Sequence, residues 1–174
     1  PQPLRLLEID AVLGAVAGAF YGIVLKKHRN ASMLVYIVYS LRSDRNHQLT
    51  FQYIEDAVFE NCEFDTKDAF WHAKNVIVRN SVVKGEYLAW YCENVTFENC
   101  KIIGTQPLCY CRNLTLDHCE MTDTDLAFER SEVEAVITTP VVSIKNPYAG
   151  HIKVPAVGVV IRDDENAAGE IIIG

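Results

Sequence analysis

Asn75, Asn94 and Asn113 are spaced nineteen residues apart, and the segments that follow them repeat with them. Lines of nineteen residues begin AspAlaValPheGluAsnCys at Asp56, AsnValIleValArgAsnSer at Asn75, AsnValThrPheGluAsnCys at Asn94 and AsnLeuThrLeuAspHisCys at Asn113. A degenerate fifth line starts at Glu132. Self-similarity at a fixed period near 20 residues is the mark of a solenoid, in which each repeat is a coil stacked on the next.

The columns identify the coil. Ala57, Val76, Val95, Leu114 and Val133 form one apolar column, and Phe59, Val78, Phe97, Leu116 and Ala135 form a second two residues on. Mostly polar positions lie between and after them. That is the period-two pattern of a half-buried strand. Repeats built from helix pairs need about 33 residues or more. The Leu-x-x-Leu-x-Leu spacing of leucine-rich repeats is absent. The expected fold is all-β: a right-handed parallel β-helix with coils of about nineteen residues and two or three short strands per coil. Asn61, Asn80, Asn99 and His118 form a further column, read as inward residues at a bend that hydrogen-bond from coil to coil. The next column, Cys62, Ser81, Cys100 and Cys119, fits a tight corner.

Residues 1–48 stand outside this pattern. They hold an apolar run at 11–25 followed by LysLysHisArg. The run is shorter than the roughly 20 residues that span a bilayer as a helix. Its positive charge follows rather than precedes it, unlike a signal peptide. Two main readings stay open for 1–48, a helix capping the solenoid or sequence foreign to it, and the solenoid is set at 49–174. Charge divides similarly: residues 1–48 carry six Lys/Arg and three Asp/Glu, and the remainder ten and twenty. An acidic solenoid argues against a nucleic-acid partner, and no membrane partner is expected. Six cysteines in a chain able to build a continuous core read as buried thiols of a reducing, cytoplasmic compartment. Cys109, Cys111 and His118 lack the paired spacing of a structural zinc site. The loop at 162–166 lacks the spacing of a calcium loop. No metal or cofactor is expected.

One column carries the functional expectation. Tyr53, His72, Tyr91, Tyr110 and Glu129 share a position, and Gln52, Trp71, Trp90, Cys109 and Phe128 precede them. Alternation sends the two columns to opposite faces. The Trp column is assigned to the core and the Tyr/His column to an outward ladder, either a stacking spine or a strip that binds carbohydrate or another protein. The competing reading is a carbohydrate-active enzyme, which needs Asp68, His72, Tyr91, Tyr110 or Glu129 to converge in a groove. Paired acids such as Glu98 and Asp117 read as a solvated face. An open first coil at 51–64 would favour end-to-end self-association.

The stretches at 60–76, 81–95, 100–111 and 121–129, including AspAlaPheTrpHisAlaLysAsnVal, GlyGluTyrLeuAlaTrpTyrCys and MetThrAspThrAspLeuAlaPheGlu, closely resemble the bacterial domain-of-unknown-function family 3737. The resemblance covers about 51–174 and is most specific over 51–130. It implies a pectin-lyase-like right-handed parallel β-helix and further coils upstream, so that this chain would be the C-terminal part of a member. It implies no activity and no catalytic residue.

Overall fold

The computed structural model describes residues 23–27, 34–39 and 51–174. In chain order the strands are β1 (Ile23–Lys27), β2 (Leu34–Tyr39), β3 (Glu55–Glu60), β4 (Glu63–Asp65), β5 (Lys74–Arg79), β6 (Val82–Lys84), β7 (Glu93–Glu98), β8 (Lys101–Ile103), β9 (Arg112–Thr122), β10 (Glu132–Ile137), β11 (Val141–Lys145), β12 (Ala149–Val154), β13 (Val157–Ile161) and β14 (Glu170–Ile173). From β2 onward every pairing is parallel. The fold is the expected β-solenoid, with two strands to a regular coil.

The main sheet runs β1-β2-β3-β5-β7-β9-β10-β12-β14, and β4, β6, β8 and the end of β9 form a second wall. Ala57 pairs with Val76, Val76 with Val95, and Val95 with Leu114. The alternation that marked these columns reflects burial of one face of each strand: Phe59, Val78, Phe97 and Leu116 are buried, and the residues between them are not. Burying a large apolar side chain contributes about 1.5–3 kcal/mol.

In the regular coils the third side holds no strand; in the last coils β11 and β13 pair on that side. Each regular coil has five non-glycine residues in the left-handed region: Asp68, Phe70, His72, Asn75 and Asn80, then Tyr87, Ala89, Tyr91, Asn94 and Asn99, then Gln106, Leu108, Tyr110, Asn113 and His118. Asn and Asp tolerate this conformation; Phe, Leu and Tyr do not, at about 1–3 kcal/mol each. Burial of Phe70, Ala89 and Leu108 offsets part of that cost. Alternation fails here, so the core assignment of the Trp column needs correcting: Trp71 and Trp90 are only half-buried, and the fully buried residues are their predecessors Phe70 and Ala89. Cys109 and Phe128, in the same sequence column, are buried.

The Asn reading is also corrected. Asn61, Asn80, Asn99 and His118 do occupy left-handed corners, but they point outward. The side-chain ladder runs through the other Asn column. Asn75 Nδ2 donates to Asp56 Oδ1 at 2.8 Å, Asn94 to Asn75 at 3.0 Å and Asn113 to Asn94 at 2.8 Å.

Sheet pairing reaches upstream of residue 49. Tyr36 pairs with Ala57, twenty-one residues on, and β1 runs antiparallel to β2. The edge of β3 is thus occupied by β2. Residues 11–22 of the apolar run lie outside the described residues, and residues 23–25 belong to β1. No described helix is long and apolar enough to cross a membrane. At the other end, β10 and β12 pair with an offset of seventeen, Glu134 with His151.

Candidate functional site

Tyr53, His72, Tyr91 and Tyr110 form one continuous stack. Ring centroids lie 5.0, 5.1 and 4.9 Å apart, with planes inclined by 5°, 12° and 13°. The spacing is close to the 4.7–4.9 Å separation of neighbouring strands, so in-register backbones set the stack. Tyr53 is 66% and Tyr91 45% exposed. Trp90 packs edge-on against Tyr110 at 5.2 Å and donates its indole N–H to the Gln106 carbonyl at 2.6 Å. Trp71 lies nearly parallel to His72 at 5.8 Å, and its indole nitrogen has no hydrogen-bond partner.

Glu129 joins this row by a different route from the one its column suggests. The amides of Tyr53, His72 and Tyr91 donate to the carbonyls of Trp71, Trp90 and Cys109, but that of Tyr110 donates to Glu129. The left-handed positions shift likewise: Gln106, Leu108 and Tyr110 are followed by Leu126, Phe128 and Arg130. One extra residue has entered between Asp123 and Leu126. Arg130, not Glu129, holds the ladder position in the fifth coil, and Glu129 takes the place of Trp71, Trp90 and Cys109. The chain then loses one residue: Glu132 hydrogen-bonds to Cys111 as Arg112 does to Cys92, yet Val133 pairs with Leu114. No fifth-coil residue answers Asn113, and the Asn ladder stops there. The insertion leaves a local defect, since the buried Thr124 hydroxyl has no partner.

This slip builds a polar basin at the end of the aromatic stack. Tyr110 Oη donates to Glu129 Oε2 at 3.3 Å, and Lys145 Nζ lies 3.0 Å from Glu129 Oε1. Partial burial, reinforced by the Glu129 charge, pushes the Tyr110 phenol up to about 12. The hydrogen bond to Glu129 raises the Lys145 ammonium as well. Below these groups the loop at 162–166 is clasped: Arg130 Nε and Tyr148 Oη each lie 3.0 Å from Asp164 Oδ2. Buried Asn146 Oδ1 accepts from the amides of Asp163 and Asp164 at 3.0 and 3.3 Å. The Asn166 amide, with Tyr148 and Arg130, holds the Asp164 carboxyl below its usual range. The basin is an open surface depression of about 510 Å³.

The structure therefore brings Tyr53, His72, Tyr91 and Tyr110 together as a line and attaches Glu129 to its end. Asp68 lies one corner earlier in the coil, with its carboxyl raised chiefly by burial. Arg130, Lys145, Asn146, Tyr148 and Asp164 were not singled out from sequence. One signal was available: Ser131 lies twenty residues after Cys111, and its hydroxyl receives the Cys111 amide as Ser81 receives that of Cys62. Cys109 and Cys111 are neighbours, the Cys111 thiol reaching the Cys109 carbonyl, but His118 does not join them. Cys111 contacts Cys92, with sulfurs 3.2 Å apart, and His118 is on an exposed corner against Asp117. Among the described residues no group of three or more His, Cys, Asp or Glu side chains is placed to hold a metal.

Residues 36–173 match the family described as a protein of unknown function (DUF3737), and the chain belongs to that family. The match begins inside β2, at the residue that pairs with Ala57. No curated protein and no solved structure matches the chain.

Proposed function

We propose that this chain is a binding module rather than an enzyme, that its ligand is an extended saccharide, and that the contact strip is the exposed edge of the Tyr53–Tyr110 stack with the polar basin at its foot. The supporting observation is the regular row itself, which offers one aromatic edge and one polar tip per coil. Stacking occupies the ring faces, so a ligand meets ring edges, the Tyr hydroxyls and the His72 nitrogens. Tyr53, at the end of the stack, also offers its outer face to a sugar ring. The enzyme reading needs groups gathered around one point. Here they are strung along the axis, Glu129 is ion-paired with Lys145, and Tyr110 stays protonated at neutral pH. Six free buried thiols fit a reducing compartment such as the cytoplasm.

The test is a saccharide array followed by titration calorimetry on the best oligomer. Tyr53→Ala removes the open ring face at a residue whose exposure limits its part in stability, and is expected to weaken binding about tenfold, the loss of one stacking contact. Tyr91→Phe keeps the stack and removes one hydroxyl, for a smaller loss. No binding across the array, or binding indifferent to both substitutions, would overturn the proposal.

A further inference from the structure

The path of the main sheet starts at β1 and ends at β14, and among the described residues neither strand has a second neighbour. An unpaired edge exposes a row of backbone donors and acceptors that can template another strand. The C-terminal edge is also apolar on its surface. Ile172 is 39% and Ile173 58% exposed, and Val159 and Val160 on β13 of the neighbouring sheet are exposed as well.

The two edges match each other. β1 runs antiparallel to β2, while β2 is parallel to β3 and, through the stack, to β14. Moving one copy along the solenoid axis therefore presents its β1 antiparallel to the β14 of the next. In the register that pairs the whole of β14 and keeps the inward columns of the two strands on one face, Lys26 stands opposite Glu170, Leu25 opposite Ile171, Val24 opposite Ile172 and Ile23 opposite Ile173. Opposite charges meet at one end of the pair and apolar residues along the rest. The segments carrying the two edges differ in charge sign, with Lys/Arg in excess over 1–48 and Asp/Glu in excess beyond. Pairing β14 with the β14 of a second copy, centred on the same strand, sets Glu170 opposite Ile173 and gains no charge match.

We propose that β1 of one copy docks antiparallel onto β14 of another copy, with Lys26 opposite Glu170, so that the solenoids join head to tail. Such an interface is heterologous. It leaves a free β1 at one end and a free β14 at the other, and it propagates. It does not depend on the saccharide reading, since it uses the ends of the solenoid and not its ladder.

Sedimentation velocity on the full chain over a concentration series tests this. The expected result is association beyond the dimer at high concentration. Lys26→Glu and Glu170→Lys are each expected to weaken it by about tenfold, because like charges directly opposite on neighbouring strands are destabilising. The double reversal restores the opposite-charge pair and the association. Ile172→Lys, at an exposed position, blunts the edge and abolishes it. Circular dichroism establishes that each variant keeps the wild-type fold. If Glu170→Lys does not, Glu170→Gln takes its place and is expected to weaken association about threefold, as the loss of one exposed pair. A monomer at every concentration overturns the proposal. So does a dimer that Lys26→Glu leaves unchanged, the mark of β14 self-pairing, or a double reversal without rescue.

Discussion

The coils between Asp68 and His118 and the chain beyond Asp123 are built from the same materials and end differently. In the first region each coil repeats the last residue for residue. Several outward columns become ladders: aromatic rings, Asn amides, and alternating charges such as Lys74–Glu93 and Arg79–Glu98. Beyond Asp123 one inserted residue and one missing residue break two of those ladders. At the break the stack of identical groups gives way to a cluster of different ones, Glu129, Arg130, Lys145, Asn146, Tyr148 and Asp164. Strict repetition yields rigidity and a uniform surface. A register slip on one side of the coil, with the strands still aligned, is how this fold places unlike side chains against one another.

The largest expected effect separates glycines of the two regions. A Cβ on Gly104 would lie 1.8 Å from the Gly85 carbonyl oxygen at a φ of +126°. Gly104→Ala is expected to cost about 3–5 kcal/mol, the range of severe backbone strain and steric overlap. A Cβ on Gly169 would sit 2.9 Å from the Pro147 side chain without positive φ, and Gly169→Ala should cost about 1–2 kcal/mol. Urea unfolding checks both, and equal costs would break the contrast. Next comes the Asn ladder. Asn94 donates to Asn75 and accepts from Asn113, whereas Asn113 ends the row. Asn94→Ala is expected to cost about 2 kcal/mol and Asn113→Ala about 1 kcal/mol, from lost hydrogen bonds and the left-handed φ. Asn94→Gly should recover the conformational part of the loss.

The clasp gives a smaller effect with a defined sign. The Asp164 carboxyl is lowered in the folded state, so its contribution is present above the ordinary carboxylate range and is lost as pH falls through its depressed value. Hydrogen-exchange protection at residues 162–166, relative to the intrinsic rate at each pH, should fall on acidification below that range, and Asp164→Asn should lower it at neutral pH. The surface charge pairs of the regular coils come last. Lys74→Ala, at a largely exposed pair, is expected to shift stability by less than about 0.5 kcal/mol.

Much of the regular region could be read from sequence because strand alternation and the nineteen-residue count report the same thing, one buried face per strand. The aromatic stack was legible for the same reason. The third side was not, because successive left-handed residues abolish alternation there, and the half-buried Trp71 and Trp90 took the place that belongs to Phe70 and Ala89. The direction of Asn61, Asn80 and Asn99 was lost at such corners too. β2 escaped notice because it pairs with β3 at an offset of twenty-one. The basin escaped because an inserted and a missing residue cancel within one coil, so that Leu114 and Val133 keep the period while Tyr110 and Arg130 do not.

That slip is the central claim, and trans-hydrogen-bond scalar couplings measured by NMR on the labelled chain test it directly. In the regular coils the ladder amides pair eighteen residues ahead, His72 with the Trp90 carbonyl and Tyr91 with the Cys109 carbonyl. The slipped coil predicts that the Tyr110 amide couples to the carbonyl carbon of Glu129, and the Glu132 amide to that of Cys111. A Tyr110 coupling to Phe128, the partner an unbroken repeat would supply, would contradict the account.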